Sequence, residues 1–133
     1  MRNIVKAIIY DSSKFLILKR TNYKGEKNAN KWDLPGGSVD NGENFLSAIA
    51  RECLEETNLT CTNVELESTH GIKDIFDFHL YSMKYAGGEI TLSHEHSDFK
   101  WISYEELDDF VMCSEKITLE NIKKFMKNMI CMM

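Results

Sequence analysis

Residues 36–59 read GGSVDNGENFLSAIARECLEETNL, and the rest of the chain is best read outward from them. The stretch 44–57 (NFLSAIARECLEET) holds no Gly and no Pro, which predicts a helix, and Asn58 tolerates the left-handed conformation that ends one. At 100° per residue, with Glu52 at zero, Glu55 falls at about −60° and Glu56 at about +40°, so three carboxylates share an arc of about 100°. Phe45, Leu46, Ile49, Ala50, Cys53 and Leu54 sweep from about +20° to about +200° and are expected to face a core. Arg51 stands beside Glu55 on the same wheel.

Such a helix is locally unfavourable. Like charges three and four residues apart repel, and these crowd the last turns, where the helix dipole is already negative. A divalent cation reverses both penalties, because hard oxygens at this density suit Mg²⁺ or Mn²⁺. A solvated acidic face with Arg51 as partial partner is the bland alternative. Gly36-Gly37 precedes the helix after Trp32-Asp33-Leu34-Pro35, and a double glycine lets backbone turn sharply or approach a ligand.

On the N-terminal side, NIVKAIIY (3–10) and FLILK (15–19) flank Asp11-Ser12-Ser13 and read as a hairpin. Residues 21–31 (TNYKGEKNANK) read as a surface loop. On the C-terminal side, 61–101 is mostly strand-like. Residues 74–85 alternate, Gly87-Gly88 turns, EITLS (89–93) returns, and Phe99, Trp101 and Ile102 mark one more short strand. Ser103 and Glu106 form a capping box for a short helix near Tyr104. Ile122, Phe125, Met126, Met129, Ile130 and Met133 form one apolar stripe of a C-terminal helix. The order predicts an α/β fold, an α/β/α sandwich with a mixed β-sheet.

A chain of 133 residues is expected to be a single domain over 1–133, burying about two-thirds of its unfolded surface. No apolar run reaches the length of a membrane span, and no signal peptide is evident. Sixteen Lys and Arg against twenty-one Asp and Glu leave a net charge of −5 and no basic stripe, which argues against a nucleic-acid duplex as partner. Cys53, Cys61, Cys113 and Cys131 show no metal spacing and read as reduced thiols, three of them in the core, of a cytoplasmic protein.

Residues 37–59 resemble the signature of the Nudix (MutT-like) hydrolases: Gly, five residues, Glu, seven residues, Arg-Glu, an apolar residue, any residue, Glu-Glu, any residue, Gly, an apolar residue. Gly37, Glu43, Arg51, Glu52, Glu55, Glu56 and Leu59 match it. Cys53 stands where a larger aliphatic residue is usual, and Asn58 replaces the family's glycine. The resemblance implies a hydrolase that cleaves the pyrophosphate linkage of a nucleoside diphosphate derivative with Mg²⁺ or Mn²⁺. By similarity, Glu52, Glu55, Glu56 and the Gly36 carbonyl hold the metal and Arg51 orients the carboxylates. Gly37 belongs to the motif, and Glu43 buttresses the loop and Arg51, its simpler reading being a helix-start carboxylate. The base is Glu52 or, downstream, Glu95, six residues before Trp101.

Several other residues stay open. Lys19 and Arg20 read equally as phosphate ligands or a solvated strand end. His94 and His96 read as loop histidines or, on a strand, as a metal pair. Trp32, Phe78 and Tyr81 belong to the core or stack a base. The proline that ADP-ribose pyrophosphatases of the family carry past the motif is absent, Pro35 being the only one. Phe76 and Asp77 stand where diadenosine polyphosphate hydrolases carry a tyrosine. That leaves a MutT-type enzyme converting a (deoxy)nucleoside triphosphate to monophosphate and pyrophosphate, as monomer or homodimer. The alternatives are a pyrophosphatase of ADP-ribose or another nucleoside-diphosphate sugar, a non-catalytic nucleotide sensor, and an acidic metal-binding scaffold.

Overall fold

Ten elements follow one another in the computed structural model, which describes residues 2–21, 27–60 and 62–133. They are β1 (Arg2–Asp11), β2 (Lys14–Arg20), β3 (Trp32–Asp33), β4 (Gly36–Ser38), α1 (Phe45–Thr57), β5 (Glu65–Ile72), β6 (Phe76–Lys84), β7 (His96–Ser103), a 3-10 helix (Tyr104–Asp109) and α2 (Lys116–Cys131). Residues 22–26 of the expected loop, and Cys61, lie outside the described residues.

β1 and β2 form the expected hairpin, but they pair only beside its turn, Tyr10 with Phe15 and Asp11 with Lys14. Beyond that they part. The free edge of β1 takes β4, with Val5 opposite Gly37 and Lys6 opposite Gly36. β2 takes β3 on one side and β7 on the other. The second edge of β1 is filled by β6, in parallel, with β5 antiparallel beyond it. The sheet is therefore mixed.

Alternation along the strands sorts two cores. Val5, Ala7, Ile9, Leu16 and Leu18 pack with Ala48, Ile49 and Cys53 of α1. Ile8, Phe15 and Ile17 pack on the other face with Ile122 and Met126 of α2. Each fully buried aliphatic side chain contributes about 1.5–3 kcal/mol, so the helices are held on the two faces mainly by these stripes. Asn44 caps α1 by accepting the Ser47 N–H at 2.8 Å, and Asn58 ends it at φ 64°.

Some expectations fail for identifiable reasons. Leu46 and Leu54 are 57% and 52% exposed, and Ala50 is exposed too. The buried residues of α1 are Ala48, Ile49, Cys53, Glu56 and Thr57, so the helix is rolled toward its carboxylates and Glu56 takes an inward place that the apolar pattern gives to leucine. EITLS forms no strand. Both edges of β6 are occupied by β1 and β5, so the chain crosses the end of α1 instead, tied by the Thr91 N–H to Thr57 O, with Ile90 and Leu92 packed on the core. The short helix at Tyr104 is 3-10, with the Ser103–Glu106 capping box in place. Met133 lies past α2 and is exposed. Of the described cysteines only Cys53 is buried, Cys113 being half-buried and Cys131 exposed.

Candidate active site

The site is built where α1 meets β4. Gly36 has φ +148°, and a Cβ there would lie 2.1 Å from Val5 O, so only glycine fits against β1. A Cβ on Gly37 would lie 2.7 Å from the Glu52 carboxyl. The two glycines thus let a strand pass directly over a carboxylate.

Glu56 is 5% exposed, and its Oε1 accepts the Gly36 N–H at 2.8 Å. Burial pushes its pKa up to about 8, against the pull of Lys6 and of the Gly36 N–H, while the charges of Glu52 and Glu95 push the same way as burial. Burial also raises Glu52, against its bond to Arg51. The register with β1 leaves the Gly36 N–H and C=O outside that ladder, on the side where Glu56 accepts the N–H.

Arg51 is the organising cation. Its Nε donates to Glu43 Oε2 at 2.8 Å and Nη2 to Glu43 Oε1 at 3.0 Å, a bidentate pair. Nη2 also donates to Ser38 O, and Nη1 to Glu52 Oε1 at 3.0 Å and Glu55 Oε2 at 3.4 Å. All five N–H groups are used, so Arg51 holds carboxylates and loop and has no donor left for a ligand. Glu43 also accepts the Asp40 N–H, and the Arg51 bonds first, then that one, hold its pKa near 2.

Glu95 is exposed on the segment before β7, where its carbonyl accepts from the Thr21 N–H and Oγ1. Its charge reaches Glu56, so both candidate bases stand by the same cluster. His94 and His96 do not pair: His94 is exposed ahead of β7, whereas His96 is buried at its first position. Burial, with Lys6 adding, lowers His96 to about 4. Trp32, Phe78 and Tyr81 are all buried.

Arg20 and a residue the motif reading passes over, Lys6, converge on Asp33. Lys6 Nζ lies 2.8 Å and Arg20 Nη1 3.8 Å from Asp33 Oδ2. Lys19, across from Trp32, is half-buried at the end of β2. The signal for Lys6 was visible as the one charge inside the apolar run NIVKAIIY. Beside this group opens a cavity of about 460 Å³, with Ile4, Phe76, Phe78 and Cys113 in its wall and Lys27, Lys31 and Lys73 at its polar parts.

Among the described residues no three carboxylate, imidazole or thiol groups gather tightly enough to ligate one ion, since Glu55 turns onto Arg51. The donor chemistry nevertheless suits a hard cation. Glu52 and Glu56 are oxygen donors crowded into a partly dry space, and burial raises the pKa of both, a cost that a cation reverses.

A Bacillus subtilis (strain 168) protein assigned provisionally as an 8-oxo-dGTP diphosphatase is 31% identical, over 87% of this chain and 75% of that one. The RNA pyrophosphohydrolase of Pelagibacter ubique (strain HTCC1062) is 27% identical, over 98% and 94%. The crystal structure of a MutT Nudix hydrolase from Burkholderia pseudomallei shares the fold at a TM-score of 0.77 and 24% identity, covering 91% of this chain and 97% of that one. The NUDIX domain family model matches residues 1–127, and the chain belongs to the Nudix hydrolases.

Proposed function

We propose that this Nudix hydrolase uses Mg²⁺ or Mn²⁺ to convert a nucleoside triphosphate to the monophosphate and pyrophosphate. The observation that carries the reading is the convergence of Glu52 and Glu56 on the Gly36–Gly37 strand, whose neighbour β1 carries Ile4 into the wall of a cavity large enough for a nucleoside. Phe76 and Phe78 offer the base aromatic contact, and the lysines of the cavity favour an anion.

Glu52, Glu55, Glu56 and the Gly36 carbonyl are the metal ligands in this reading, and Glu43 and Arg51 fix Glu52 and Glu55. A bound divalent ion supplies charge neutralisation at the phosphates and a more acidic water. The protein must then take a proton from the attacking water, and Glu52 or Glu95 does so. Water adds at phosphorus, the bridging P–O bond breaks, and the electron pair leaves on the released phosphate oxygen. Arg20, with Lys19, adds positive charge beside the cavity. The free thiols of Cys53, Cys113 and Cys131 fit a reducing, cytoplasmic setting.

The test is product release from a panel run with Mg²⁺ and with Mn²⁺: nucleoside triphosphates, 8-oxo-dGTP, a dinucleoside tetraphosphate, ADP-ribose and 5′-triphosphorylated RNA. Pyrophosphate from mononucleotides is expected. Turnover confined to ADP-ribose, or none at all, refutes the reading.

A further inference from the structure

Lys6 has no part in the metal and base assignments above, yet its placement is costly. It sits mid-way along β1, which has neighbours on both edges, and its side chain is only 12% exposed. A buried ammonium needs partners. Two are present: Nζ donates to Asp33 Oδ2 at 2.8 Å and to Leu34 O at 3.3 Å. An ammonium has three N–H groups, and no described residue accepts the third.

Asp33 has other partners besides Lys6. Arg20 approaches the same Oδ2 at 3.8 Å, and Oδ1 accepts the Leu34 N–H at 2.8 Å. The charge of Glu56 reaches Lys6 as well, from the side of the carboxylate cluster.

The location of Lys6 is specific. Ile4, Lys6 and Ile8 share one face of β1. Ile4 lines the cavity, and Ile8 lies in the core under α2. Toward β4, a Cβ on Gly36 would lie 2.8 Å from Lys6 Cδ, so the lysine stem runs against the glycine that holds Glu56. Lys6 therefore stands between the cavity and the carboxylates, where the phosphates of a nucleotide seated in the cavity would pass.

We infer that Lys6 is a substrate-binding residue, donating its remaining N–H to a phosphate oxygen of a bound nucleoside polyphosphate at the junction of the cavity and the carboxylate cluster. The inference rests on the nucleotide reading above. It predicts a contact that depends on the phosphates and not on the base.

Calorimetric binding of a nonhydrolysable α,β-methylene nucleoside triphosphate, in Mg²⁺, and of the matching nucleoside tests it. Lys6→Met should weaken the triphosphate analogue about ten- to a hundredfold, the range for a hydrogen bond to a charged group, and leave the nucleoside unchanged. Mn²⁺ affinity, read by electron paramagnetic resonance, should be unchanged or tighter, because a cation near Glu56 is gone. The double variant Lys6→Met/Asp33→Asn, which removes both partners of the ion pair, decides the matter if the single variant fails to fold, and should show the same loss. Wild-type triphosphate affinity in a folded variant overturns the role of Lys6 alone. Failure of the wild-type protein to bind either probe overturns the nucleotide reading, and this inference with it.

Discussion

Replacing Glu56 by Gln should remove from the metal-free protein a loss of stability that grows with pH, and the structure gives both sign and size. The carboxyl ionises near 4.5 when unfolded but at about 8 when folded. Between those values the folded state holds the extra proton, so stability falls as pH rises through the window. His70, His79 and His96 are all lowered by burial and act in the opposite direction, an effect that fades only by about pH 7.5. These histidines are common to wild type and Glu56→Gln, so the difference between the two curves reports the glutamate. From pH 6.5 to 8 the wild type should lose about 1.5 kcal/mol relative to Glu56→Gln, roughly 5 °C in Tm. Glu56→Gln keeps an oxygen for the Gly36 N–H and has nothing to ionise there, so its curve should carry no such loss.

The assay is thermal and urea unfolding of both proteins in EDTA at several pH values, repeated in excess Mg²⁺. Metal binding to the ionised carboxylates should flatten or reverse the wild-type slope and raise its stability by about 2.7 kcal/mol at a hundredfold excess over Kd. Parallel EDTA curves for the two proteins would show that Glu56 is ionised without cost in the fold. No response of the wild type to Mg²⁺ would remove the carboxylates as a metal site.

Glu52→Gln should lower kcat several hundredfold, about 3–4 kcal/mol of transition-state stabilisation, without unfolding the protein. The pH–rate profile of Glu95→Gln, compared with that of Glu52→Gln, identifies the base as the residue whose loss removes the acidic limb. Gly37→Ala places a methyl group 2.7 Å from the Glu52 carboxyl and should cut kcat more than tenfold while costing about 1–3 kcal/mol of stability, and an active Gly37→Ala enzyme would mean that the Glu52 position is not critical. Leu54→Ser should change unfolding free energy by no more than about 0.5 kcal/mol, against about 2–5 kcal/mol for Ile49→Ala, and equal losses would mean that α1 buries the arc its apolar pattern suggests.

How much the sequence reveals depends on the kind of signal. Capping and alternation are local, so α1 with its Asn58 end, the β1–β2 hairpin and the α2 stripe could all be read from the residues. The carboxylate spacing was equally local, because helix geometry fixes where Glu52, Glu55 and Glu56 project. What could not be read is the roll of α1. Six apolar residues compete for the sheet, and a wheel cannot say that Leu46 and Leu54 lose to Glu56. The fate of EITLS depends on β1 filling the edge of β6, a contact between residues some seventy apart in sequence. The pairing of Lys6 with Asp33 is non-local in the same way, although an isolated lysine in an apolar strand was a visible irregularity.

The departures from local preference gather at one place. A lysine lies in a central strand, a glutamate faces the core, a glycine takes φ +148°, and carboxylates crowd the wrong end of a helix. Each costs stability alone, and each becomes reasonable beside an anion bridged by a cation. The basic side chains divide the work by how many donors remain. Arg51 has spent all five on Glu43, Glu52, Glu55 and Ser38, so it can only hold ligands in place. Lys6 has spent two of three and lies on the cavity side of Gly36. Substituting Arg51 should therefore act through the carboxylates, changing metal affinity and kcat, and substituting Lys6 through the phosphates, changing substrate affinity. A variant at either position that reversed this pattern would show that donor count does not assign the roles.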